Sequence, residues 1–414
     1  MKKTFVGIGF GPIQSGLFAL EAYRSNNFQR IVVADVLPEI VHYVRQAGGT
    51  YCINVAGSDG VFQDEVSGIE IYNPTDSVDK AALVEAIAEA DEIATALPSV
   101  DFYRRVTPTP AWLIAQGIDS RLNRSSPRRT VVYAAENHNA GAELLRGAVL
   151  ETLPQLGAEQ LDRQVQFVNT VIGKMSGVVT EEQQIKSAKL APLVTGMKQA
   201  VLVEQFNRIL VSRVAWDDYQ RGIEVFEEKA DLIPFEEAKL YGHNATHALI
   251  GYLAYRESIK FVSEVRATPL FGMAREAFVE ESGKALCERY AGVDPVFTPQ
   301  GWQGYVEDLL ERMTNPYLHD KVDRLIRDPV RKLGWDDRLI GTMRIVLDHQ
   351  IAPRKFSLGA AAAIELLLGE QPQKQPLQLF EELWCHSGGP VSSRELITKH
   401  LLAAREELGS SSLW

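Results

Sequence analysis

Apolar β-branched runs and helix-period stretches alternate along the first half of the chain, while the second half carries helix-period stretches almost alone. Residues 4–9 (TFVGIG) read as a short buried strand entering a glycine turn, with a helix expected from about Ile13 to Arg24. A second strand at 30–36 (RIVVADV) leads to a helix from Pro38 to Ala47, and strand-like runs recur at 51–55, 67–72, 92–97 and 130–135. Strands separated by helical spacers predict a parallel sheet with crossover helices. From Pro234 onward, helical periodicity covers 234–260, 270–291, 301–313, 321–332, 337–349, 357–369, 376–386 and 392–407. The expected division is an α/β domain over 1–230 and an all-α domain over 231–414, the change falling between Glu227 and Pro234. QPQKQP at 371–376 reads as a polar loop, and the closing GSSSLW as a frayed tail.

Charge and cysteine usage narrow the function classes. With 43 Lys+Arg against 54 Asp+Glu, the net charge is −11, unsuited to neutralising nucleic-acid phosphates or an anionic membrane surface. Cys52, Cys287 and Cys385 are far apart and odd in number, which fits neither a disulfide scaffold nor a cysteine zinc cage. Lys2 and Lys3 before an apolar run resemble an export signal, but Gly7, Gly9, Gly11 and Pro12 interrupt it. No segment has 18 uninterrupted apolar residues, so a cytoplasmic protein is expected, a monomer or a small homo-oligomer. The basic loop RLNRSSPRR at 121–129 is expected to expose its charges as a solvated turn.

Gly7-Ile8-Gly9-Phe10-Gly11-Pro12 lies at a strand-to-helix turn, where glycines let the backbone approach a pyrophosphate resting on the helix N-terminus. Counted from Gly7, Pro12 takes the third glycine's place, and Gly16 is the candidate for the close helix–strand contact. Asp35, 28 residues after Gly7, ends the second strand, where a carboxylate can accept from a ribose 2′-OH and would repel a 2′-phosphate. This favours NAD over NADP, against the plainer reading of a turn aspartate. The run IATALPSV at 93–100 is placed as a later strand end flanking the cofactor.

The segment Phe235–Tyr255 (FEEAKLYGHNATHALIGYLAY) is crowded with polar side chains. On an α-helical wheel with Lys239 at zero, His243 falls near ~40°, Glu236 near ~60°, His247 near ~80° and Asn244 near ~140°. Solvated helix faces are usually built from Glu, Lys and Arg, so two histidines and an asparagine on this arc suggest chemistry. Two chemistries fit. His243 and His247, spaced i, i+4, suit zinc, although HNATH lacks the Glu of HExxH and a third ligand is not evident. The alternative is metal-free hydride transfer, with a lysine of depressed pKa as general base and amide donors holding the reacting oxygen.

Lys239-x4-Asn244-x2-His247 resembles the K-x4-N-x2-H signature of the polyol-specific long-chain dehydrogenases. AAENHNAGAELL at 134–145 is similar to that family's strand-end segment with an asparagine beside the substrate oxygen. NPYLHDKVDRLIRDPVRKLGWDDRL at 315–339 resembles the corresponding stretch of its mannitol-1-phosphate 5-dehydrogenases, and the order of motifs agrees from residue 5 to about 365. The resemblance implies an α/β N-terminal Rossmann-type domain holding NAD, an all-α C-terminal domain and no metal. It implies Lys239 as the base, Asn137 and Asn244 polarising the reacting oxygen, His247 orienting the substrate and Glu236 relaying the proton. Gly7, Gly9, Phe10, Gly11, Pro12, Ile13, Asp35, Ala96, Leu97, Glu136 and Asn137 are the expected cofactor-binding positions. The expected substrate is a small sugar or sugar phosphate: a hexitol or hexitol phosphate and its ketose, or else a hexuronate. A non-catalytic NAD-binding sensor is the competing class.

The departures bear on substrate. Where the family typically reads V-D-R-I-x-P, this chain reads IGKMSG at 172–177, with Gly173 for an aspartate that can bind polyol hydroxyls and Lys174 for an arginine. The segment 176–200 is also longer than in compact relatives. Lys174, His243, Arg331 and Arg338 are the candidate substrate-binding residues. Arg327, Arg331, Lys332 and Arg338 make a basic cluster suited to a phosphate, with Asp320, Asp328, Asp336 and Asp337 as competing ion-pair partners.

Overall fold

The structure is a computed structural model that describes residues 3–105, 107–124, 128–385 and 389–410. The chain forms two compact units, Met1–Ile233 and Pro234–Trp414, a division three residues beyond the one expected. The first unit holds strands β1 (Lys3–Ile8), β2 (Phe28–Ala34), β3 (Tyr51–Ala56), β4 (Val61–Val66), β5 (Glu70–Tyr72) and β6 (Glu92–Thr95). It continues with β7 (Thr130–Ala134), β8 (Val165–Val171), β9 (Ser176–Val179), β10 (Ala200–Glu204), β11 (Ile209–Ser212) and β12 (Phe226–Lys229). Eight of them form one sheet in the order β12-β11-β8-β7-β6-β1-β2-β5. The six strands from β8 to β5 run parallel, whereas β11 is antiparallel to β8 and parallel to β12.

Alternation along the parallel strands fills both faces. Phe5 of β1 and Ile31 and Val33 of β2 join one apolar cluster, while Val6, Ile8, Val32 and Ala34 join the other. A parallel sheet needs cover on both sides, because crossover helices lie on both. One such helix, Ser77–Glu89, is started by the Asp76 carboxylate, which accepts from the N–H groups of Val78 and Asp79.

Two features differ from the sequence reading. The expected strand at 51–55 does not join the main sheet; β3 belongs to a separate mixed sheet in the order β4-β3-β10-β9. The loop at 121–129 does not expose all its charges either. Arg121 ends the helix Pro110–Leu122 and is 1% exposed, its guanidinium donating to the main-chain oxygens of Ile87, Ala90 and Arg128. It thereby supplies donors at the carboxyl end of the Ser77–Glu89 helix, whose last carbonyls have no i+4 donor within the helix. Burial lowers its pKa to about 10. Arg124, Arg128 and Arg129 pair with Glu85, Asp91 and Asp218, and residues 125–127 lie outside the described residues.

In the second unit the described residues form helices, with one isolated bridge between Phe261 and Lys321. The expected helix at 321–332 is broken into Val322–Leu325 and Pro329–Lys332, with Asp328 in a left-handed conformation before Pro329. The last helix runs Val391–Ser410, further than expected; of the supposed frayed tail, residues 411–414 lie outside the described residues, as does the end of the stretch at 376–386. No helix among the described residues is long and apolar enough to cross a membrane.

Replacing Arg121 by Met keeps the apolar stem but removes the guanidinium donors from the main-chain oxygens of Ile87, Ala90 and Arg128. The first two keep one other donor each, Ala90 N and Thr130 Oγ1. Urea denaturation is expected to show a loss of about 2–4 kcal/mol. A loss under about 0.5 kcal/mol would mean that those carbonyls do not depend on it.

Candidate active site

In the first unit, a candidate dinucleotide site is built at the carboxyl ends of β1, β2, β6 and β7. β1 continues through Ile8, so the tight turn falls at Gly9, whose φ is +85°. A Cβ there would stand 2.7 Å from the carbonyl oxygen of Ala96, so only glycine fits. A Cβ on Gly11 would meet nothing within 4 Å, leaving its backbone open to an incoming group. Helical geometry starts at Pro12, a position where proline is favoured because its missing N–H is not needed. The fingerprint therefore reads Gly9-x-Gly11-x-x-Gln14, and Pro12 does not disturb it.

Gln14 stands where a third glycine would allow close helix–strand packing. The contact is inverted: Gln14 lies over Gly7, whose absent Cβ would be 2.1 Å from Nε2. Both polar atoms of this fully buried amide lack a hydrogen-bond partner, an unmet polar demand beside the turn. Gly16 serves a close contact as expected, but with Val203 of β10 in the second sheet.

Asp35 sits beside this turn. One carboxylate oxygen accepts from Phe10 N at 2.8 Å and the other from Leu37 N at 2.8 Å. Burial pushes its pKa up, opposed by main-chain N–H groups of Leu37, Phe10 and Val36. Each oxygen keeps acceptor capacity for a ribose hydroxyl. The Phe10 side chain is turned inward, edge-on to Tyr51, so it offers no surface to a ligand. An open Gly11, a helix N-terminus, the Asp35 carboxylate and the orphaned Gln14 amide fit a bound dinucleotide.

Glu136 departs from its expected place at the cofactor. It is 4% exposed and its carboxylate accepts from Leu97 N at 2.9 Å, from Thr95 Oγ1 at 3.0 Å and from the Tyr103 hydroxyl. Burial raises its pKa, while those donors favour its charged form. It ties the Ala96–Leu97 segment to the end of β7 and turns away from the surface. Asn137, the next residue, is exposed. Its loop is braced by Ala140 N donating to His138 Nδ1 and by Asn169, whose oxygen accepts from Ala142 N. Lys174 is likewise committed elsewhere than expected: buried, its ammonium donates to the main-chain oxygens of Glu204 and Phe206, joining β8 to the end of β10. Gly173 has room, since a Cβ there would touch only Phe206, at 3.9 Å.

In the second unit, the helix expected at 234–260 is interrupted. α-Helix Ile233–Glu237 widens into a π-helix over Ala238–Asn244 before α-helix resumes at Ala245–Arg256. Hydrogen bonds i→i+5 add a residue to the turn. Asn244, placed on the far flank by an α-helical wheel, comes round toward the side of Lys239, five residues earlier. A π-turn of this kind is itself a frequent mark of a functional site.

Lys239 is half-buried, and its pKa is lowered to about 8 by burial and by the Arg338 guanidinium, with Glu236 pulling the other way. His243 is buried and held well below its ordinary pKa by burial and by the surrounding cations, so it is neutral. Its ring centroid lies 6.1 Å from that of His247. His247 Nε2 stands 3.6 Å from Asp320 Oδ2, an ion-pair distance rather than a hydrogen bond. The basic cluster is largely spoken for. Arg331 pairs with Asp328 and Asp337, and Lys332 donates to the main-chain oxygens of Leu325 and Arg327. Arg338 donates through Nε to Asp337 at 2.8 Å and remains the cation whose charge reaches Lys239. Gln14, Thr95 and Tyr103 escaped the sequence reading, which gave Asp320 only a role in ion pairing; Thr95 and Tyr103 act through Glu136, and Asp320 faces His247, partners distant in the chain.

The comparisons with known proteins match this layout. The Mannitol dehydrogenase Rossmann domain model matches residues 3–220, and the Mannitol dehydrogenase C-terminal domain model matches 231–410. The chain belongs to the mannitol dehydrogenase family. It is thus a dehydrogenase with a Rossmann domain followed by that family's helical domain. It is 28% identical over 371 residues to a mannitol-1-phosphate 5-dehydrogenase of Bacillus pumilus, covering 89% of each chain. A ternary complex of Pseudomonas fluorescens mannitol 2-dehydrogenase with NAD and D-mannitol has the same fold. That similarity has a TM-score of 0.74 at 15% identity, over 99% of this chain and 92% of that one. A substrate-free D-sorbitol dehydrogenase matches with a TM-score of 0.76 at 13% identity, over 99% and 94%.

Two alanine variants separate folding from cofactor binding. Gly9→Ala is expected to lower the melting temperature, through the clash with Ala96 and the positive φ. Gly11→Ala is expected to melt like the wild type yet weaken NADH binding by about tenfold or more in a fluorescence titration. Unchanged NADH affinity in Gly11→Ala would place the pyrophosphate elsewhere.

Proposed function

We propose that this member of the mannitol dehydrogenase family uses NAD to interconvert a hexitol or hexitol phosphate and its ketose, with Lys239 as general base. The observation that carries the reading is the amine of Lys239, held at about 8 on a π-turn that also carries Asn244. When bound, NAD supplies the hydride acceptor. Neutral Lys239 takes the proton of the carbinol hydroxyl as the alcohol is oxidised and returns it in ketose reduction. Asn244 donates its amide N–H to the same oxygen, whose negative charge grows as the proton leaves. Glu236, whose charge reaches Lys239, is suited to pass the proton onward. The place of Asn137 at the reacting oxygen rests on its motif.

Arg338 bears on the substrate. It is the cation that acts on Lys239, and its terminal N–H groups are suited to a phosphate or carboxylate. With Gly173 in place of an acidic residue, an anionic substrate meets one repulsion fewer. The likeness to a mannitol-1-phosphate 5-dehydrogenase supports the phosphate. A hexuronate is the second reading, favoured by the same guanidinium.

NADH absorbance with mannitol, sorbitol, their phosphates, fructose 6-phosphate, tagaturonate and fructuronate tests the proposal. Turnover of none of them would overturn it. Lys239→Ala is expected to lower kcat/KM by about 10²–10⁴-fold. The pH dependence has opposite signs in the two directions: kcat/KM for oxidation rises through about 8 as Lys239 loses its proton, and kcat/KM for reduction falls through the same value. Full activity in Lys239→Ala would remove it from the chemistry.

A further inference from the structure

Asp320 has no part in the chemistry described so far, yet it is a buried carboxylate aimed at a proposed site residue. Its side chain is 7% exposed and lies 3.6 Å, Oδ2 to Nε2, from His247, itself 16% exposed. Arg324 grips the carboxylate from the other side with two donors, Nε to Oδ1 at 2.6 Å and Nη2 to Oδ2. Burial pushes the Asp320 pKa up, but His247 and Arg324 more than offset it and leave it at about 2, so it is charged at any working pH. The backbone beneath is fixed as well. Val262 N donates to the Asp320 carbonyl, Val322 N to the Lys260 carbonyl, and Phe261 bridges Lys321. His319, just before it, is in a left-handed conformation that swings the chain into this position.

A carboxylate clamped by a guanidinium and packed against one ring nitrogen does two things to an imidazole. It favours the tautomer that carries the proton on the facing nitrogen, and it limits rotation of the ring. Applied to the neutral form of His247, that preference places the proton on Nε2, toward Asp320, and leaves Nδ1 on the other side of the ring as an acceptor. An acceptor recognises a hydroxyl and turns away a phosphate or carboxylate oxygen. The neighbouring His243 is neutral and supplies no competing charge.

We propose that Asp320 is a positioning residue for His247: braced by Arg324, it fixes the imidazole as an acceptor that reads a substrate hydroxyl. This rests on the reading of His247 as a substrate-orienting residue, and two measurements keep the ideas apart. The first needs no turnover: ¹⁵N shifts of the His247 imidazole in the free protein. At a pH where the ring is neutral, the wild type is expected to carry its proton on Nε2, and Asp320→Asn to show a mixture of tautomers. A wild-type ring protonated on Nδ1, or an Asp320→Asn ring identical to the wild type, overturns the proposal.

The second is a double-mutant cycle on hexitol oxidation. Asp320→Asn is expected to lower kcat/KM by about 10–100-fold through a raised polyol KM, with NADH affinity unchanged. In the His247→Ala background the same change is expected to cost almost nothing. An equal loss with and without His247 means that Asp320 is merely structural and overturns the proposal. If the ring has the expected tautomer but His247→Ala turns over at the full rate, Asp320 still positions the ring, and it is the substrate role of His247 that fails.

Discussion

The physical constraint on which the site depends is the poor hydration of one amine. An ammonium loses much of its favourable solvation when a protein surrounds it, and a second positive charge nearby adds to the penalty. Lys239 meets both conditions, and Glu236 relieves them only in part. The side chain is thereby brought to a pKa at which it can both take and release a proton near neutrality. A lysine left in water would stay charged and be useless as a base. Arg338, by this account, is doubly placed: its charge lowers the affinity of Lys239 for a proton while remaining suited to a substrate anion.

Backbone geometry serves the same end. The helical segment holding Lys239 and Asn244 is π rather than α, and two further π-turns stand at Gln14–Phe18, just after the glycine turn, and at Ala277–Gly283. Each widens a helix by a residue and re-aims the side chains beyond it. At Gln14 the result is a helix that covers Gly7 with a polar side chain where a glycine would usually let it approach closely. At Lys239 and Asn244 the result is an amine and an amide turned toward each other's side of one helix. The surrounding hydrogen bonds then brace the groups: Asp35 joins the glycine turn to the end of β2, and Glu136 joins the ends of β6 and β7.

Much of this was legible in the chain, and the parts that were not share a cause. The β-branched runs at 30–36, 92–97 and 130–135 announced buried parallel strands, and the loss of such runs after 230 announced the helical half. β4, with the sequence VFQDEV, escaped because both its faces are polar enough to read as loop, and with it went the second sheet. The candidate residues Lys239, Asn244 and His247 were visible as a spacing, but the relation between the first two was not, because a wheel turning 100° per residue assumes the α-helix that the π-turn replaces. Charge roles were the least legible. Arg121, Lys174, Lys332 and Glu136 look in sequence like exposed or ligand-binding groups. The fold commits each to main-chain oxygens or N–H groups, of segments far away in the chain for Lys174, Glu136 and most of Arg121, and of the preceding turn for Lys332.

The central claim is that the fold itself, before any substrate arrives, holds the Lys239 amine near neutrality. Its most direct test is the titration of that one side chain in the free protein, by competitive labelling with an amine-reactive reagent across a range of pH and quantification of the Lys239 peptide by mass spectrometry. The account predicts a midpoint at about 8. A midpoint at the ordinary lysine value of 10.5 would contradict it.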